Sequence, residues 1–337
     1  MRLVLYTTRR LVLLAPVLAA ATFVAFALTR ILPGNPIDRV LPPYISLELR
    51  EEMKREAGLD RPFYEQFYIY SVELSRGHMG VSYTTAQEVS KDLVDRFPAT
   101  FELVTSAMLV AISLGIPLGV VGAISKGRWA DHLGRVVSVV GVSLPIFWLA
   151  LILLYIFFYR LEWAPGPIGR ISVLLSAPKT ITRLFTIDAA LTGDWLVFKS
   201  AIASLILPTI TLGFTAMAPI ARMTRSSLTE ALESDYIRTA ICMGLPRRVI
   251  YFQHAFKNAL LPIITIIAAV YGYVLGGEVI VEYIFSWPGL GLYAFNAILA
   301  SDFPAIQGFI LLMTGIYVLI YLMLDLLTAF LDPRVEF

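Results

Sequence analysis

Long apolar stretches, separated by charged segments, constrain this chain most strongly. A run of about 20 apolar residues is what crosses a bilayer core of about 30 Å. Charged residues make up only 15% of the chain and hydrophobic residues 58%, whereas a soluble domain carries about 25% charge. The sequence therefore predicts an all-α polytopic membrane protein with six transmembrane helices. The six runs lie at about residues 11–31, 101–125, 136–159, 201–221, 259–281 and 306–331.

The first apolar run resembles a secretory signal peptide only superficially. Three basic residues precede it, as in a signal peptide. A cleavable apolar region, however, spans about 7–15 residues and ends at a small-residue cleavage site. This run is longer and leads into Arg30 and a Leu-Pro-Gly-Asn-Pro turn. We therefore expect an uncleaved first transmembrane helix.

The distribution of Lys and Arg predicts the orientation of the spans. The segments on one side of the six runs hold 13 basic residues in 63 positions, and those on the other side hold 14 in 133. Because basic residues concentrate in cytoplasmic loops, both termini are predicted to be cytoplasmic. Residues 1–99 then form the first span and a large extracytoplasmic segment. Residues 100–337 form a five-helix core with a cytoplasmic loop at 222–258.

Several classes of function are excluded by what the sequence lacks. A net charge of +2 gives no basic field for nucleic acid. One cysteine, Cys242, and three scattered histidines predict no disulfide, no metal site and no redox chemistry. Phosphate-binding loops, zinc-peptidase motifs and serine-hydrolase elbows are missing. We therefore expect a chain that is not an enzyme and binds no cofactor of its own.

The apolar runs themselves carry few ionisable residues, and these lie near the run ends. An ion-coupled carrier usually places carboxylates or unwound helices near the bilayer midplane. Energy for transport is therefore expected from a partner. Outside the runs, residues 46–57 are predicted to form an amphipathic surface helix. Residues 160–200 are predicted to form an interfacial or re-entrant element, because a full crossing would desolvate Arg183 and Asp188.

The longest predicted cytoplasmic segment contains a short amphipathic helix. Residues 229–243 are compatible with a helix that ends at Gly244 and Pro246. An apolar stripe is formed by Tyr236, Ile237, Ala240 and Ile241. Such a helix, held between two spans, suits docking into a groove of a partner protein. The alternative is an interfacial helix that lies against lipid head groups, and the pattern alone does not separate the two.

The string DYIRTAICMGLP in this loop resembles the "EAA" loop of the integral membrane subunits of binding-protein-dependent ABC importers, in the form of the peptide-transporter branch. The resemblance continues along the whole chain in the same order. Further matching strings are RILPGNP, AGLDRPFYEQF, MGVSY, RFPATFEL, GIPLGV, SLPIFW, ARMTRSSLTE, HAFKNALLP, FSWPGLG and LDPRVEF.

The resemblance implies a type I ABC importer permease fold and a multi-pass location in the inner or plasma membrane. It implies a second homologous permease subunit, two ATPase subunits that bind ATP and Mg, and an extracytoplasmic solute-binding protein. It also implies a coupling helix that enters a cleft of the ATPase. The matching coupling residues are Asp235, Tyr236, Ile237, Arg238, Thr239, Ala240, Gly244, Leu245 and Pro246.

Short peptides are the substrate that the resemblance implies, with oligosaccharide, glutathione or nickel as alternatives within the same class. A self-contained secondary carrier or channel, which would move substrate without ATP, and a structural or regulatory membrane anchor are the alternatives from other classes.

Two residues are candidates for the substrate pathway. Glu278, near the outer end of the fifth run, could contact a substrate amino group, or could simply be solvated at the interface. Pro145 could kink the third run at a gate, or could be tolerated as prolines often are in membrane helices.

Overall fold

The computed structural model describes residues 16–29, 55, 60–277 and 279–331. Regular structure in this part of the chain is helical, and the only β-type contact there is an isolated bridge between Val81 and Glu88. The predicted all-α class is therefore confirmed for the described residues. Residues 46–54, 56 and 57 of the predicted surface helix lie outside them, as does the start of the first apolar run.

The helices are numbered along the chain. They are α1 (Pro16–Thr29), α2 (Phe63–Ser75), α3 (Val89–Ile124), α4 (Trp129–Ser143), α5 (Ile146–Leu153), α6 (Phe185–Thr192), α7 (Trp195–Leu232), α8 (Asp235–Cys242), α9 (Arg247–Val249), α10 (Phe256–Gly277), α11 (Val279–Ile284), α12 (Leu290–Ala300) and α13 (Phe303–Leu331). Two wider π-helical segments, Leu154–Arg160 and Ile250–Ala255, continue α5 and precede α10.

Four helical segments of the described chain are long and apolar enough to cross a membrane. They are Val89–Ile124, Trp195–Leu232, Arg247–Gly276 and Phe303–Thr328. A bent pair, Trp129–Ser143 with Ile146–Arg160, gives a fifth if it counts as one span. These five elements match the five later apolar runs of the sequence. Within the first run, the structure describes the apolar helix α1, and the predicted first span extends beyond these described residues.

The run at 136–159 is not one straight helix, because it bends by 100° between α4 and α5. A proline restricts the preceding residue to extended backbone and lacks an N–H to donate. Leu144 has ψ 125° and Pro145 has ψ 129°, so neither continues the helix. Pro145 therefore ends α4 and stands at the N-cap of α5.

The described residues fall into two units. The first contains residues up to 98 together with 289–319, and the second contains 99–288 together with 320–331. In the first unit, the amide of Gln307 donates to the hydroxyl of Thr29 at 2.6 Å. Ser82 donates to the buried carboxylate of Asp302, also at 2.6 Å. These side-chain bonds join α13 to α1, and the residue before α13 to the segment before α3.

Helix α7 is the central element of the second unit and contacts α4, α5, α6, α10 and α11. Its packing against α3 depends on small residues. A Cβ added to Gly119 of α3 would lie 2.5 Å from the Cβ of Thr224, and one added to Gly213 of α7 would lie 3.0 Å from the carbonyl oxygen of Ala107. Small residues permit this approach of membrane helices. Gly115 and Gly119 are spaced four apart and both face α7.

The segment between α5 and α7 is held by buried charges rather than by a span. Arg170 donates to Glu102 of α3 at 2.5 Å, and both side chains are less than 10% exposed. The Arg170 guanidinium also lies over the Phe185 ring at 3.6 Å. Asp188 accepts from the backbone N–H groups of residues 181, 182 and 183. The only regular helix between Leu161 and Asp194 is the eight-residue α6, and the last residues of the predicted 160–200 segment already belong to α7. The predicted interfacial or re-entrant element stays a prediction.

Candidate functional site

Helix α8 contains the DYIRTAIC part of the string that resembles the EAA loop. Two residues separate it from the end of α7. Ser234 lies at the N-cap of α8, and its hydroxyl donates to the carbonyl of Ala231 at 2.5 Å. Serine side chains compete in this way for backbone groups and end helices. The prediction of one helix over 229–243 is therefore wrong. The break at Glu233 and Ser234 divides that stretch between α7 and α8.

The C-terminal end of α8 is a Schellman motif. Gly244 has φ +75°, which a residue with a Cβ adopts at a cost of about 1–2 kcal/mol. Its N–H donates to Ile241 at 2.9 Å, and the N–H of Leu245 donates to Ala240 at 3.3 Å. These two bonds satisfy the last carbonyls of the helix. The predicted end at Gly244 and Pro246 is confirmed.

One face of α8 is anchored to the ends of the spans. Ile237 and Ala240 are only 1% and 4% exposed. They belong to an apolar cluster, here called the anchor cluster, which joins α8 to α3, α7, the π-helical segment and α10. Its buried members are Ala123, Leu228, Ile237, Ala240, Ile250, Ala255, Ala259 and Ile263, and Leu245 packs against them. Because this cluster excludes water on one side of α8, the helix cannot move independently of those helix ends without exposing apolar surface.

Two exposed apolar side chains flank the buried stripe of α8, and a third lies at its C-cap. Tyr236, Ile241 and Met243 are 42%, 59% and 67% exposed. An exposed ion pair, Arg238 to Asp235 at 3.2 Å, borders them. The predicted apolar stripe is therefore one continuous band, whose centre, Ile237 and Ala240, packs inward and whose edges, Tyr236 and Ile241, stay exposed.

All nine residues of the predicted coupling set are brought together on α8 and its C-terminal turn. Thr239, the remaining member, donates its hydroxyl to the carbonyl of Asp235 at 3.1 Å. Side chains for an anchor and for exposed apolar edges thus come from one short helix. A surface of this kind, rigidly attached to spans, is suited to receive a displacement from a partner.

A buried carboxylate fixes the neighbouring helix end. Asp131, in the first turn of α4, is 1% exposed. The Nε and Nη2 atoms of Arg225 on α7 donate to its two carboxylate oxygens at 2.5 and 3.0 Å. The backbone N–H of Gly127 donates to the same group at 3.0 Å. Lys126 pairs with Glu233 beside the start of α8. The members of the first pair are 94 positions apart in the sequence, and those of the second pair are 107 positions apart. No sequence pattern predicted either pair.

A cavity of about 600 Å³ lies between α4, α5, α7, α10 and α11 of the second unit. Leu144 and Ile146, on either side of Pro145, line it, and Pro145 itself does not. The predicted pathway role of Pro145 thus has a cavity beside it and stays a prediction. Glu278 lies outside the described residues. Arg222 lines this cavity and also a smaller one of about 310 Å³.

Several apolar spans, a cavity among them and a short helix anchored at their ends define the class of this molecule as a multi-pass transport protein of the cell membrane. Residues 115–337 match the family described as binding-protein-dependent transport system inner membrane component. The chain belongs to this family. By that description, it works with a binding protein.

Relatives match the chain along nearly its whole length. The dipeptide transport system permease protein DppB of Alkalihalophilus pseudofirmus is 41% identical and covers 98% of this chain and 99% of its own. A probable D,D-dipeptide transport system permease of Escherichia coli K12 is 40% identical, with 95% and 94% covered. A di/tripeptide transport system permease of Pseudomonas aeruginosa is 39% identical, with 98% of both chains covered.

Proposed function

We propose that this chain is the non-catalytic transmembrane subunit of an ATP-driven importer for di- and oligopeptides. The peptide substrate is carried over from the three relatives, whose names state dipeptide or di/tripeptide transport. The complex contains a second homologous permease, two ATPase subunits that bind ATP and Mg, and an extracytoplasmic peptide-binding protein. Six spans with both termini in the cytoplasm place α8 on the side where ATP is available. Residues 1–99 then supply the first span and the extracytoplasmic segment, and 100–337 the five-helix core.

The observation that carries the proposal is that the apolar stripe of α8 has a buried centre and exposed edges. The buried centre belongs to the anchor cluster, so that α8 moves with the ends of α3, α7 and α10. The exposed apolar side chains are Tyr236, Ile241 and Met243. An interfacial helix that only rests on lipid would not need an anchor that joins it to three helix ends. We therefore assign these exposed side chains to a cleft of the ATPase subunit.

Coupling follows from this attachment. ATP binding closes the two ATPase subunits and draws the two α8 helices of the permease pair together. Because the anchor cluster ties α8 to the spans, the spans change between an inward-open and an outward-open arrangement. The binding protein delivers peptide to the outward-open arrangement.

Replacement of Ile241 tests the docking role. We expect Ile241→Asp to abolish receptor-stimulated ATP hydrolysis and peptide uptake in liposomes that contain the full importer, because burial of this side chain stabilises the contact by about 1.5–3 kcal/mol. Ile241→Leu keeps the volume and the apolar character and is the matched control. Its activity should stay close to that of the unmodified complex. Coupling that is intact in Ile241→Asp would contradict the assignment of these side chains.

A further inference from the structure

Arg222 stands out among the charged residues of the second unit by its surroundings. It lies ten residues before the end of α7, or about 15 Å along the helix. Arg225, one turn further on, is bound by the buried carboxylate of Asp131. Among the described residues, no carboxylate lies within ion-pair distance of Arg222. Its guanidinium therefore lacks an anionic partner in this part of the chain.

The lining of the larger cavity contains few polar groups besides Arg222. Among the residues that the structure describes, Arg222 is the only charged one that lines it. The walls are largely aliphatic, with Val270, Val274 and Ile280 as examples. Of the polar lining groups, Thr215 already donates its hydroxyl to a backbone carbonyl at 2.9 Å. An anion that enters this cavity would meet one cation and few other polar groups.

The size and the charge of the cavity restrict what it can take. Ligand cavities in proteins usually measure about 300–1,000 Å³, and this one measures about 600 Å³. A guanidinium binds a carboxylate through two parallel hydrogen bonds, and Arg222 is exposed, so a ligand can reach it. Every unmodified peptide ends in one carboxylate at one end and an ammonium group at the other. The cation of Arg222 attracts the first and repels the second.

We propose that Arg222 binds the C-terminal carboxylate of the peptide during its passage through the larger cavity. The inference rests on the proposed function, since it concerns the substrate of the same pathway. Arg222 would hold a peptide with its C-terminal end toward the α8 end of α7. The aliphatic walls contact the side chains without selecting among them. Such a site favours peptides as a class and does not depend on their sequence.

The test uses the complete importer in liposomes, with its binding protein and internal ATP. Initial uptake of a dipeptide and of its C-terminal amide is measured, each at a concentration that saturates the binding protein. We expect Arg222→Gln to lower uptake of the dipeptide about tenfold, as the loss of a charge-assisted hydrogen bond predicts, and to leave uptake of the amide unchanged. Arg222→Lys, which keeps the charge, should retain most of the dipeptide uptake.

Two results would overturn the assignment. Equal uptake of the dipeptide by Arg222→Gln and the unmodified complex would remove Arg222 from the pathway. An equal loss for the dipeptide and the amide would show that Arg222 anchors the helix at the membrane surface or binds a lipid phosphate. Uptake by the unmodified complex tests the proposed function by itself, so failure of the two ideas is distinguishable.

A labelling experiment covers the case in which the glutamine variant does not assemble. Cys242 is the only cysteine of this chain, so that Cys242→Ser with Val270→Cys leaves one thiol, in the wall of the larger cavity, and keeps Arg222 in place. Peptide-loaded binding protein with ATP should slow alkylation of that thiol relative to unloaded binding protein with ATP. Alkylation at the same rate in both conditions would overturn the assignment.

Discussion

The contact between α3 and α7 gives the sharpest prediction about stability. A Cβ on Gly119 would lie 2.5 Å from the Cβ of Thr224 and 2.6 Å from the carbonyl oxygen of Ala221. Carbon atoms at rest lie about 3.5–4.0 Å apart, so Gly119→Ala must separate the two helices by about 1 Å. Because the contacts are a Cβ and a backbone oxygen, rotation of a side chain cannot relieve them. We expect a loss of about 1–3 kcal/mol, as for other overpacked cores.

Gly134 of α4 is the matched control for this substitution. A Cβ at Gly134 would meet Leu118 at 3.6 Å, which is an ordinary contact. Gly134→Ala should therefore be neutral or slightly stabilising, since alanine favours a helix over glycine by about 1 kcal/mol. Thermal unfolding of both variants in the same detergent, followed by tryptophan fluorescence, measures the difference. Thr224→Ala added to Gly119→Ala should not restore stability. Equal unfolding temperatures for Gly119→Ala and Gly134→Ala would refute the close helix contact.

Two further predictions concern buried carboxylates. Asp131→Asn removes the partner of Arg225 and should lower stability by about 1–3 kcal/mol. Glu73→Gln, at an exposed ion pair, is the control and should leave the unfolding temperature almost unchanged. Thermal unfolding of the two variants at pH 7 compares them. Burial raises the pKa of Asp188, but hydrogen bonds from Thr182 and from three backbone N–H groups outweigh it and hold that pKa below its ordinary value of 3.8. The ionised form therefore stabilises the fold above about pH 4, and this contribution is lost as the pH falls through the folded pKa. The stability advantage of the unmodified chain over Asp188→Asn should shrink between pH 6 and pH 3, and an advantage that does not change with pH would contradict this account.

The apolar runs predicted five of the long helical elements because the composition of a span is a local property. The C-terminal end of α8 could be predicted from the sequence in the same way, since Gly244 and Pro246 act on the conformation of their own backbone. The bend at Pro145 was visible only as a proline in a run. Its size, 100°, depends on how α4 and α5 pack against α7, and no local pattern contains that information.

The sequence could not show how α8 divides its apolar residues. The stripe consists of four residues that are all suited to burial, Tyr236, Ile237, Ala240 and Ile241. Their spacing does not show which of them pack against other helices of this chain. The ion pair between Asp131 and Arg225 could not be predicted from the sequence for a different reason. Its members are 94 positions apart, and complementary charge alone does not pair two residues among many.

The length of α7 has a mechanical consequence. Its 38 residues form a rod of about 57 Å, which is longer than the apolar core of a bilayer. Pro219 lies in the wall of the larger cavity, about 20 Å along the rod from its α8 end. A proline removes one backbone bond from the helix and so softens it at that point. Suppose that the helix pivots at Pro219 and that its α8 end is displaced by about 4 Å. The segment between the two then tilts by about 11°. Arg222, which lies one turn from the pivot, moves by less than about 1 Å.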